Sequence, residues 1–75
     1  MNPAVEYRRL QSEIRTIIDR FPEVLNAHIA RQEQHPEFWC YVGDLKRARL
    51  DLLNVAAFLG DEASREVLHS EGEPR

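Results

Sequence analysis

Leu50-Asp51-Leu52-Leu53-Asn54-Val55-Ala56-Ala57-Phe58-Leu59, followed at once by Gly60-Asp61, is the stretch whose reading decides the fold. Eight of these ten residues are apolar, and on a helical wheel they wrap most of the way round. A helix that is apolar on nearly all sides must be surrounded, by its own chain or by a partner. Gly60 suits the left-handed conformation that closes a helix, and Asp61 suits the cap of the next one. The segment predicts a central helix, a sharp corner and a short return helix.

Working back from it, Pro36-Glu-Phe-Trp-Cys-Tyr-Val42 is rich in aromatic and β-branched residues, which also suit strands. A lone strand would have no partner here: the chain has only three glycines and no Asn-Gly or Asp-Gly pair from which to build hairpins. Read as helix, Tyr41, Leu45, Ala48, Leu52, Val55 and Leu59 recur at spacings of three and four. The expectation is one helix over about 36–59, bent or broken at Gly43-Asp44. Its seam should bury Leu52 and Leu59 almost fully. Asp61 then caps a last helix to about His69, with Ala63, Val67 and Leu68 inward.

Towards the start, Asn2 is a good N-cap and Pro3 a good first helical residue. Tyr7, Leu10, Ile14, Ile17 and Phe21 then follow a heptad seam, broadened by Val5 and Ile18. Pro22 is expected to end this helix, because the residue before a proline is pushed out of helical geometry. A second helix from Pro22 should present Val24, Leu25, His28 and Ile29, and fade in the polar run Arg31–His35. The predicted fold is all-α: a compact bundle of three main helices plus a short C-terminal helix, one domain over 1–69, and a disordered polar tail over 70–75.

The totals limit the function. Seventy-five residues make one small domain, for which oligomerisation is a common source of stability. The net charge of −3 argues against a general nucleic-acid binder. Cys40 is the only cysteine, so no internal disulfide is possible. The first fifteen residues are polar and charged, unlike a secretion signal, and no apolar run is long enough to cross a bilayer. A cytoplasmic protein is expected. The piece Ala56–Ala63 resembles turns of many bacterial helical-hairpin proteins and is too generic to name a family.

Candidate chemistry is sparse. His28, His35 and Cys40 lack the paired spacing of a zinc site, and Cys40 reads as a small hydrophobe. Glu66-Val-Leu-His69, with Glu13, has the residue types of a carboxylate–histidine metal centre but only half the motifs of one. Cys40 has no glycine-rich turn beside it to stabilise an oxyanion. No catalytic set, metal or cofactor is expected, and the chain reads as a non-enzyme.

Two surfaces remain. Phe38, Trp39, Tyr41 and Val42 form an aromatic group of the kind that anchors protein interfaces. Lys46, Arg47 and Arg49 are the alternative, a basic segment for nucleic acid, although Arg47 and Asp51 are spaced as an i, i+4 ion pair. The expected function is a small protein–protein interaction module: an adaptor, an inhibitor or a small subunit of an assembly. The partner is another protein or a second copy. A homodimer is expected because the predicted helices expose more apolar surface than they can cover.

Overall fold

In the computed structural model, residues 2–71 are described, and they form three helices with no strand among them. α1 spans Pro3–Gln34, α2 Trp39–Phe58 and α3 Glu62–Glu71. The chain divides into two units, one up to Pro36 and one from Glu37 onward. No helix among the described residues is long and apolar enough to cross a membrane.

The first unit is one helix of 32 residues. Asn2 opens it: its side chain accepts a hydrogen bond from the Ala4 amide at 2.8 Å, and Pro3 follows at a position where no amide is needed. The helix does not stop at Pro22, contrary to the expectation from sequence. Proline removes one ladder bond, leaving the Ile18 carbonyl without its usual amide, and the ring crowds that carbonyl. The apolar register nevertheless passes through unshifted, from Phe21 to Val24 and His28 at spacings of three and four. The two helices expected on either side of Pro22 are therefore one, and the chain has three helices where four were expected. No residue of α1 is buried.

The second unit is a helical hairpin. α2 starts at Trp39, three residues later than expected, and runs unbroken through Gly43 and Asp44. Its corner is built as the sequence suggests. Gly60 has a φ of 113°, a backbone shape that costs residues with a side chain. The Gly60 amide donates to the Ala57 carbonyl at 3.0 Å and the Asp61 amide to the Ala56 carbonyl at 2.9 Å. This is the Schellman arrangement, which satisfies the last carbonyls of α2. Asp61 then caps α3: its Oδ2 accepts from the Ser64 amide at 3.1 Å and from the Ser64 hydroxyl at 2.5 Å. The Arg65 guanidinium donates to the Ala57 carbonyl at 3.0 Å, tying α3 back to the end of α2.

Packing between α2 and α3 is a contact of small residues. Among the described residues of the hairpin, Ala57 and Ser64 are buried, and Leu53, Ala56, Val67 and Leu68 are half-buried. The expected seam is not the one that packs. Leu52 is 48% exposed and Leu59 68% exposed within the chain. Periodicity finds both apolar faces of α2, but the face with Ala56 and Ala57 allows the closest approach of a second backbone. At the far end of the hairpin, Arg49 grips Glu71 through two hydrogen bonds of 3.0 and 2.5 Å. Ser70 and Glu71, expected to be tail, belong to α3; the remainder of that expected tail, 72–75, lies outside the described residues.

Candidate interaction surface

The aromatic group of the sequence sits at the start of α2, and the lengths of the two hairpin helices explain why α3 does not cover it. α2 has 20 residues and α3 has 10. At about 1.5 Å per residue, α3 can lie against only half of α2. The pairing works outward from Gly60: Ala57 and Ser64 are the buried residues near the corner, and Arg49 meets Glu71, the last residue of α3. Phe38, Trp39, Tyr41, Val42 and Leu45 precede Arg49, beyond the reach of α3.

Phe38 caps α2 in extended geometry, with no side-chain hydrogen bond to the first turn. Phe38, Tyr41 and Val42 follow helical spacing and share one face. The rings of Phe38 and Tyr41 stack, with centroids 6.4 Å apart and planes 12° from parallel. Such stacking fixes two large rings as one slab. Trp39 is about 100° further round the helix and is 80% exposed. The structure thus brings three of the four aromatic-patch residues onto one face and places Trp39 at its edge. Sequence reading missed the continuation of this apolar surface along α2 through Leu45, Leu52, Val55 and Leu59, because it assigned that stripe to the core.

The basic segment is differently placed. Arg47 pairs with Asp51 at 3.1 Å, as the spacing suggests, and Arg49 is held by Glu71. The Glu71 hydrogen bonds raise the Arg49 guanidinium above its ordinary value, and the Arg49 hydrogen bonds hold the Glu71 carboxyl below its own. Two of the three cations in Lys46, Arg47 and Arg49 are therefore committed to carboxylates of the same chain.

His28 and Glu13 lie on α1, and Cys40, Glu66 and His69 on the hairpin helices. Among the described residues, no three His, Cys, Asp or Glu side chains converge as a metal site would require. Cys40 is exposed as a free thiol. A broad open depression on α3 is lined by Ala63, Glu66, Val67, Ser70 and Glu71. No protein-family model matches this sequence, and neither a curated protein nor a solved structure matches it.

Proposed function

We propose that this protein is a small protein–protein interaction module, acting as an adaptor, an inhibitor or a small subunit of an assembly. The partner is another protein or a second copy of the chain, and the helices complete a compact bundle within that assembly. The observation that carries this reading is Trp39, 80% exposed beside the stacked Phe38–Tyr41 pair, on a hairpin whose return helix is too short to cover it. Aromatic residues with apolar neighbours and a polar rim are the usual anchors of protein interfaces. Binding would bury Phe38, Trp39, Tyr41 and Val42, with Lys46 and Asp44 at the rim.

The nucleic-acid alternative has less support, because Arg47 and Arg49 already hold Asp51 and Glu71. We read the chain as a non-enzyme that uses no cofactor. An exposed thiol at Cys40 suits a reducing compartment such as the cytoplasm.

Capture from a lysate of the native host, read by mass spectrometry, tests the proposal. The native chain should retain a defined protein that Trp39→Ala and Val42→Ala chains lose, while their helical circular dichroism is unchanged. Capture that is indifferent to both substitutions would sink the aromatic-patch reading.

A further inference from the structure

We infer that α1 is a self-association helix, whose occupant is α1 of a second copy of this chain. The proposal extends the interaction reading and uses a different surface, so the two can fail separately. Tyr7, Leu10, Ile14, Ile17, Phe21 and Val24 keep heptad spacing along one face, and because α1 passes through Pro22 the seam is longer than the sequence suggested. These six side chains remain 40 to 71% exposed. A helix with such a seam and no buried residue has nowhere within itself to put it.

Area supports a dimer. Fully burying one large apolar side chain removes roughly 60–120 Å² of apolar surface from water. The seam, widened by half-exposed Ile18, Leu25 and Ile29 on the same face, therefore offers roughly 300–550 Å² per copy. A stable interface takes about 800 Å² from each partner, of which about two thirds is apolar in homodimers. At the upper end of that range, one copy of α1 supplies about what one side of a dimer needs.

Charge permits a second α1 as the occupant. α1 carries five arginines (Arg8, Arg9, Arg15, Arg20, Arg31) and five acids (Glu6, Glu13, Asp19, Glu23, Glu33), so its formal charge, counted over Arg, Lys, Asp and Glu, is zero. The whole net charge of −3 then falls on residues 37–75. A second α1 brings the same apolar seam with no net repulsion, whereas apposing two hairpins brings −3 against −3. At the edge of the seam, Arg9 bonds both Glu6 and Glu13 along its own helix, so this rim does not await a foreign charge.

Sedimentation equilibrium of the full chain over a wide concentration range tests the inference. The expected result is a reversible dimer. Its dissociation constant should rise by about a hundredfold or more in Ile14→Gln/Ile17→Gln, as for loss of central anchors, and by less than about threefold in Trp39→Ala. A chain that stays monomeric and helical at high concentration overturns the proposal. So does a dimer lost in Trp39→Ala but kept in the seam variant, and so does a trimer or larger assembly. If the double variant does not fold, isotope-filtered NMR on mixed labelled and unlabelled native chains decides the matter. Intermolecular contacts from the Ile14 and Ile17 methyl groups support the inference; their absence from those methyls overturns it.

Discussion

Between Ala56 and Arg65 the hairpin is specified group by group: two backbone amides close α2, one carboxylate caps α3, and one guanidinium ties the corner shut. Over the 32 residues of α1, the comparable devices are Asn2 at the start and the run of ion pairs around Arg9. The hairpin also buries residues of its own, Ala57 and Ser64, whereas no residue of α1 is buried. Both regions are helical, but for different physical reasons. The hairpin is held by local hydrogen-bond chemistry, whereas α1 is an amphipathic pattern whose stability must come from packing its apolar face.

The sharpest way to break this contrast is at Pro22. A proline inside a helix costs about 3 kcal/mol relative to alanine. Pro22→Ala should therefore stabilise α1 by up to about 3 kcal/mol in chemical or thermal unfolding followed by circular dichroism. An unchanged midpoint would mean that α1 does not run through Pro22 in solution. The next effect is at the hairpin corner. Gly60→Ala meets no atom within 4 Å, so its cost is conformational alone. At a φ of 113° that cost should be about 1–2 kcal/mol, lost from α3 rather than from α1. Amide hydrogen exchange would locate it: uniform loss of protection in both units would contradict this placement.

Smaller again are the caps. Asp61→Ala removes the acceptor for the Ser64 amide and hydroxyl and should cost about 1 kcal/mol. Asn2→Ala should cost a similar amount in α1, and unequal losses measured by unfolding would show which unit depends more on its cap. The smallest effect is the Arg49–Glu71 pair, whose groups are solvent-exposed and screened by salt. The Glu71 carboxyl is held below its ordinary value first by the Arg49 hydrogen bonds. Its folded value is therefore below its unfolded one. The pair contributes above the ordinary carboxylate range and loses that contribution as pH falls through the lowered folded value. An NMR titration should show Glu71 returning to its ordinary value in Arg49→Gln; no change would remove the pair from the structure in solution.

The features legible from sequence were those written in adjacent residues. Leu59-Gly60-Asp61 announced its corner, and Arg47–Asp51 its ion pair, because each depends on chemistry within a few positions. Asn2-Pro3 announced the start of α1 in the same way. Pro22 misled for the same local reason: one lost hydrogen bond is visible in the sequence, while the unbroken register on both sides must be weighed against it. Leu52 and Leu59 misled because apolar spacing shows which residues avoid water, not which of two apolar faces meets α3. The deciding signal was residue size at Ala56 and Ala57. The exposed aromatic group was legible as a set of residues, and its exposure was not, since that follows from α3, at 10 residues, being half the length of α2, at 20.

The three-residue connection at Gly60 also fixes an order of events in time. Every contact between α2 and α3 spans a short loop, so little chain entropy opposes closing the hairpin. Low contact order places such closure on the fast end of folding, about microseconds to milliseconds. Pairing of α1 with another chain must wait for a collision and slows with dilution. In a dilute cell, a newly made chain would hold a finished hairpin, with its aromatic patch on offer, well before α1 met its match. On the two proposals made above, engagement of a partner by α2 would therefore precede the pairing of α1, and need not compete with it.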